Sequence, residues 1–293
     1  MHIRLSGGVY IIRPKVAKAV INPRFSYGII KEQKGLSKKT IRSVAAFAAA
    51  IILIAALAFA AKTSGAYAIA VNGKSKKLLP VYSVERSDNK ISISFDCAWG
   101  VEHTDEILDA LDKFGVKCTF FAVQFWIEKY PDYAKKIIGR GHEIGTHSKT
   151  HPKMSGLKSE EITAELTSSK EAIEKVTEQT VTLFRPPFGD YNDKVISASN
   201  SLGLTPVQWD VDSLDWKDLS ADKIAARVLK RVKSGSIILC HNNGLHTAES
   251  LPLIFAPLIS QGYEFVKISD LIYKDNYEIL PDGRQKPLDS AKT

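Results

Sequence analysis

Ile91-Ser92-Ile93-Ser94-Phe95-Asp96-Cys97 alternates apolar and polar residues and then meets a carboxylate. A period of two marks a half-buried strand, so this run delivers an acid to its own C-terminal tip. Four later runs end in the same manner. His142-Glu143-Ile144-Gly145-Thr146-His147 is followed four residues on by His151. Leu183-Phe184-Arg185-Pro186-Pro187-Phe188-Gly189 carries an arginine. Pro206-Val207-Gln208-Trp209-Asp210 leads into Asp212 and Asp215-Trp216, and Ser236-Ile237-Ile238-Leu239-Cys240 ends in His241. Strands that all carry polar groups at one end point to an enzyme site on the C-terminal rim of a β/α barrel.

Working outward, strand and helix patterns alternate along the chain. Further strands are expected at Lys117–Val123, Thr182–Phe184, Thr205–Asp210 and Glu264–Ile268. Helical spacing appears at Thr104–Phe114, Pro131–Gly139, Ser159–Val176, Asp193–Leu202, Ala221–Lys233 and Glu249–Gln261. Pro131 opens its helix at the first turn, and Ser159 leads its own as a capping residue. Seven strands, each followed by a helix, predict an α/β fold with parallel strands: a distorted (β/α)7 barrel over 91–273. An open doubly wound sheet is the rival architecture, but the chain has no Gly-rich phosphate loop to support it.

The net charge of +8 belongs to one end. Residues 1–43 hold ten of the 40 Lys/Arg and only Glu32 of the 32 Asp/Glu, which leaves 30 basic against 31 acidic residues downstream. A near-neutral domain gives no nucleic-acid footprint. Val44 to Ala61 then runs eighteen residues without a polar side chain, flanked by Lys38, Lys39 and Arg42. That length just spans a bilayer, and the basic flank keeps the arm cytoplasmic and sends the C-terminal domain across. The expectation is a single-pass anchor at 44–61. The competing reading is a signal peptide cut near Ala66-Tyr67-Ala68, which releases the domain. Residues 62–90 read as a polar linker with a short hairpin around Ile69–Val81 turning at Asn72-Gly73, and 274–293 as a tail. The three cysteines, Cys97, Cys118 and Cys240, are an odd count in predicted strands, which argues against a disulfide framework. The downstream domain is expected to be monomeric.

The strand tips divide into chemical roles. His147 and His151, at i and i+4, present both imidazoles to one point if the segment turns helically; two surface histidines are the bland alternative. Two prolines after Arg185 fix the backbone and make a rigid platform, although any nearby acid could claim the guanidinium structurally. Asp212 and Asp215 fall where a carboxylate could orient His241 and raise its pKa. Trp216 reads either as an apolar wall for a sugar ring or as a core tryptophan.

Together these residues resemble the polysaccharide deacetylases, the NodB-homology or carbohydrate esterase family 4, over roughly Lys90 to Tyr273. Phe95-Asp96-Cys97 is similar to the first family motif, T-F-D-D, and His147-Ser148-Lys149-Thr150-His151 to H-S/T-x-x-H. Arg185-Pro186-Pro187-Phe188-Gly189, Asp212-Ser213-Leu214-Asp215-Trp216 and Leu239-Cys240-His241 resemble the remaining three. The Asp96-Cys97-Ala98-Trp99-Gly100 form looks most like the spore-associated branch of Gram-positive bacteria. The resemblance implies a divalent metal, zinc first, on His147 and His151, with Asp96 as general base and His241 as general acid. It also implies that Asp215 tunes His241, that Arg185 orients Asp96, and that the Phe188 backbone N–H holds the oxyanion. The implied substrate is an N-acetylated wall glycan, peptidoglycan foremost, with Asp212 and Trp216 beside it.

One position departs from the motif. Cys97 stands where the family places the second aspartate, its third metal ligand. Three outcomes are open: a Cys-His₂-water site, replacement by Glu102 or His103, or a two-histidine site that holds metal weakly or not at all. Function divides accordingly between an N-deacetylase and a weakened domain that binds wall glycan, with an O-esterase of acetylated xylan as a third reading.

Overall fold

The computed structural model describes residues 38, 43, 46–52 and 77–288. Most of the apolar span 44–61 and of the hairpin expected at Ile69–Val81 lies outside the described residues. Among those residues, no helix is long and apolar enough to cross a membrane.

Eight parallel strands form the main sheet. They are β2 (Lys90–Cys97), β3 (Thr119–Ala122), β4 (Glu143–Thr146), β5 (Leu183–Phe184), β6 (Thr205–Pro206), β7 (Val211–Asp212), β8 (Ile237–His241) and β9 (Glu264–Phe265). Seven of them stand in the order β6-β5-β4-β3-β2-β8-β7, and β9 pairs with the start of β2. The helices α1 (Thr104–Phe114), α2 (Gln124–Lys129), α3 (Pro131–Gly139), α4 (Ser159–Thr177), α5 (Asp193–Ser201), α6 (Ala221–Leu229), α7 (Thr247–Ser260) and α8 (Ile268–Leu271) fill the connections. The α/β class and the parallel strands of a partial barrel are as the alternation implied. The barrel itself differs from one built of seven equal strand-helix units. The strand expected at Thr205–Asp210 shortens to β6, which pairs with β5 on one edge, and β7 follows just beyond it to pair with β8 on the other. The helix at 124–129 follows β3 without a separate apolar period to announce it.

Strand parity then sorts the side chains. Ile91, Ile93, Phe95 and Cys97 of β2 join Phe120, Ile144, Phe184, Ile238 and Cys240 in the main core cluster, with α1, α4 and α7 residues such as Leu108, Leu166 and Leu251. The opposite face holds a smaller cluster of Phe121, Leu183, Val207 and Ile237. Successive strand residues point to opposite faces, so the residue after an outward-facing core residue faces inward. Asp96, Arg185 and His241 each follow such a residue, and His147 follows Thr146, a buried polar residue two positions after Ile144 on the same strand. Gly145 belongs to the inner series, where a Cβ would come within 2.7 Å of the Phe121 ring.

Two helix starts are capped by local side chains. Asn192 accepts from the backbone N–H of Lys194 and Val195. At α4 the capping residue is Lys158 rather than Ser159, and Glu161 reaches back to its N–H at 2.8 Å. The stretch expected as a tail is partly folded: β10 (Tyr277–Ile279) and β11 (Arg284–Pro287) pair antiparallel, and β1 (Ser83–Val84) adds in parallel. Residues 81–84 and 277–287 therefore belong to the folded unit.

Candidate active site

Four of the strand tips converge. Asp96 and His241 are direct Cα partners in the β2–β8 ladder. Arg185, fully buried just beyond β5, donates from Nη1 to Asp96 Oδ1 at 2.8 Å and from Nη2 to the Gln208 carbonyl at 3.2 Å. Its guanidinium lies 4.1 Å from the Phe121 ring centroid and 5.6 Å from that of Trp209. His147 Nε2 stands 3.5 Å from Asp96 Oδ2, and its Nδ1 is 2.7 Å from the Arg185 carbonyl. A carbonyl only accepts, so Nδ1 carries the proton and Nε2 presents a lone pair on the Asp96 side.

Across the site, Asp215 is fully buried and gathers three hydrogen bonds. Oδ1 pairs with His241 Nδ1 at 2.8 Å, while Oδ2 accepts the His241 backbone N–H and the Thr247 hydroxyl, each at 2.7 Å. With Nδ1 held by a carboxylate, Nε2 is the free nitrogen of His241. Thr247 carries no motif signal; its place at the first turn of α7 is the sole clue in the sequence.

Charge follows from these contacts. Burial would raise the Asp96 carboxyl, but Arg185, His147 and His241 together outweigh burial and hold it below its usual value. Burial lowers His147 and brings His151 down to about 4, so both imidazoles are neutral near neutral pH. His241 moves the other way: burial opposes its charge, yet the Asp215 hydrogen bond and carboxylate raise its pKa. The site thus pairs an ionised acid with an imidazole that keeps its proton longer than usual, the division of labour that acid–base catalysis requires.

The cavity above these groups measures about 630 Å³. Asp96, His147, His151, Phe188, Asp212, Trp216 and His241 all line it, together with Trp99 and Trp209, which the sequence did not single out. Trp216 is 54% exposed and hence a wall, not a core residue. Asp212 faces the cavity and spends Oδ1 on the Leu214 N–H at 2.8 Å; its charge adds to that of Asp215 in raising His241. Phe188 holds a left-handed backbone at φ 59° after its two prolines and exposes its ring. His151 also has positive φ, at 60°, and its ring centroid lies 4.9 Å from that of His147.

Cys97 does not join them. Its thiol is fully buried in the outer core, 3.7 Å from the Phe95 carbonyl, and burial pushes its pKa well above the ordinary value. Parity accounts for the correction: Asp96 faces inward, so its neighbour on the same strand faces outward. His103 pairs with Glu106 at 3.4 Å on the first turn of α1 and lines no part of the cavity. Among the described residues no group of three His, Cys, Asp or Glu side chains is placed to hold a metal. Two neutral imidazoles suit a divalent metal by their chemistry, but the third protein ligand expected at 97 is missing.

The profile of the polysaccharide deacetylase family matches residues 83–207, from β1 through the strand break. A peptidoglycan-N-acetylglucosamine deacetylase of Bacillus cereus is 32% identical over 196 residues, 65% of this chain and 92% of that protein. The chain belongs to the polysaccharide deacetylase family. YlxY of Bacillus subtilis is 33% identical over 193 residues, and the alignment spans 66% of this chain but only 60% of YlxY. Among solved structures, a CE4 family pseudoenzyme from Bacillus anthracis is 34% identical with a TM-score of 0.64, covering 66% of this chain and 68% of that one. A mutant of the same protein, described as having restored enzymatic activity, scores equally at 35% identity.

Proposed function

We propose that this chain hydrolyses the acetamide of an N-acetylated cell-wall glycan, peptidoglycan first, to a free amine and acetate. One observation carries the reading: an Arg185-held carboxylate and an Asp215-held imidazole stand side by side on paired strands and line one open cavity. The peptidoglycan substrate named for the Bacillus cereus relative supports the glycan assignment. Asp96 takes the proton of the attacking water. His241 Nε2 gives a proton to the departing nitrogen, and Asp215 steadies the imidazolium before that transfer. Arg185 keeps Asp96 ionised and aimed. The Phe188 backbone N–H is assigned to the developing oxyanion, and Trp216 to one face of the sugar. A divalent metal, zinc by preference, bound through His147 and His151, would supply Lewis-acid polarisation of the acetyl carbonyl. The domain acts on the outer side of the membrane, tethered or released by the segment at 44–61, and works as a monomer.

The orientation of Cys97 favours a second reading: a site without its third ligand binds wall glycan with little turnover, for instance during sporulation. Acetate release from N-acetylglucosamine oligomers, with and without added zinc and chelator, separates the two. Zinc-dependent acetate establishes the deacetylase. Glycan binding without acetate at any metal concentration establishes the binding domain.

A further inference from the structure

Trp99 lines the cavity and leaves 61% of its surface exposed, on a loop pinned at the next residue. The next carbonyl, of Gly100, accepts from Nε1 of buried Trp126 at 2.7 Å and from Nδ2 of Asn242 at 2.9 Å. Asn242 is itself buried; it also donates to Thr104 Oγ1 at 3.3 Å, and its backbone N–H reaches the Asp96 carbonyl at 3.2 Å. Gly100 sits at φ +65°, and a Cβ there would collide with the Glu102 carboxylate. The loop is thus tied to α1, α2 and the segment after β8. On its inner side the indole meets His151 edge-on, with centroids 5.1 Å apart, and His151 meets Phe188 at 4.5 Å.

A large apolar ring held rigidly in a cavity mouth is a ready-made binding surface, because its ordering has been completed before the ligand arrives. Its place relative to the other exposed indole is informative. β8 lies between β2 and β7, so His241 stands between the loop carrying Trp99 and the turn carrying Trp216. Two strand spacings, about 10 Å, separate the tips of β2 and β7, so one sugar presenting its acetamide to Asp96 and His241 leaves the Trp99 flank to a neighbour. Building on the glycan reading above, we infer that Trp99 is a stacking subsite for the sugar next to the one that reacts. It makes the site selective for glycan chains over single N-acetylated sugars.

The test is binding of N-acetylglucosamine and its β-1,4-linked tetramer to the full-length chain, by calorimetry and ligand-detected NMR, for wild type, Trp99→Ala and Trp99→Phe. An aromatic stacking contact corresponds to about a tenfold change in affinity. Trp99→Ala is expected to lose about tenfold for the tetramer and nothing for the monosaccharide, with Trp99→Phe recovering most of the loss. Unchanged tetramer affinity in Trp99→Ala overturns the subsite. Equal losses for both ligands also overturn it, because the indole then acts through His151. If wild type binds neither sugar, the glycan reading fails and takes this inference with it.

Discussion

Asp96→Asn tests whether the carboxylate serves the fold, the reaction or both. Arg185 is fully buried, and Asp96 is the acid hydrogen-bonded to its guanidinium. Asparagine keeps one acceptor but removes the charge, so the guanidinium stays buried without a counter-ion. Breaking such a pair costs about 3–5 kcal/mol, a large share of the about 5–15 kcal/mol that stabilises a domain. With a urea slope of about 2 kcal/mol/M, the unfolding midpoint should fall by about 2 M. Loss of the base should lower acetate release by roughly 10²–10⁴-fold. Stability and activity are separable by Asp96→Asn/Arg185→Met, in which methionine fills the slot between Phe121 and Trp209. Tryptophan fluorescence should show the midpoint returning to within about 1 kcal/mol of wild type, because removing both charges is close to neutral. Acetate release should stay as low as in Asp96→Asn. A single variant as stable as wild type would refute the ion-pair account, and one that releases acetate at the wild-type rate would refute the base.

Other outcomes follow from the same geometry. In Asp215→Asn the amide can satisfy only one of the carboxylate's oxygens, and the His241 pKa should fall; a general acid must be protonated, so the alkaline limb of the pH–rate profile should move to lower pH. Cys97→Asp should place a carboxylate in the outer core and cost about 3 kcal/mol or more. An undiminished urea midpoint with tighter zinc binding would instead show that residue 97 can turn into the cavity. His142 is buried, away from the cavity, with its pKa lowered to about 4 by burial and then by Lys117. The unfolded chain protonates first, so His142 withdraws stability as pH falls from about 6.5 to 4, on the order of 3 kcal/mol. His142→Leu should lose less over that window in urea melts at each pH.

The chemical residues were readable because strand parity and motif order act together. Ile91 to Asp96 shows its period in the sequence, and the tips at His147, Arg185 and His241 share the inner face. The motif suggested an inward-facing ligand at 97, but here the Cys97 thiol continues the alternation of β2 and packs with Phe95 in the outer core. The α1 and α3 boundaries were readable from spacing and from Pro131. The connection at 205–212 was not, because Thr205 to Asp210 has the composition of one strand. Thr247 owes its importance to Asp215, 32 residues before it, and the Trp99 loop owes its own to Asn242, 142 residues beyond Gly100; no local pattern records such distances.

The break between Pro206 and Val211 shows how closure of the sheet and assembly of the site depend on each other. The Val207 N–H still bonds the Phe184 carbonyl on one edge, while the Asp210 N–H already bonds the Ile237 carbonyl on the other. Between them the Gln208 carbonyl turns to Arg185, and the Asp210 carboxylate takes the Ile237 N–H and the Ser236 hydroxyl at 2.8 and 3.0 Å. The crossing therefore meets the backbone needs of both edges with side chains, as a buried strand end must. A continuous strand from Thr205 to Asp210 would direct the Gln208 carbonyl into a ladder and move Trp209 off the guanidinium. Arg185 would lose an acceptor and a ring face, and Asp96 would lose its aim. The irregularity in the barrel is thus the condition for a positioned base, and substitutions at Val207, Gln208 and Asp210, none of which lines the cavity, should lower acetate release.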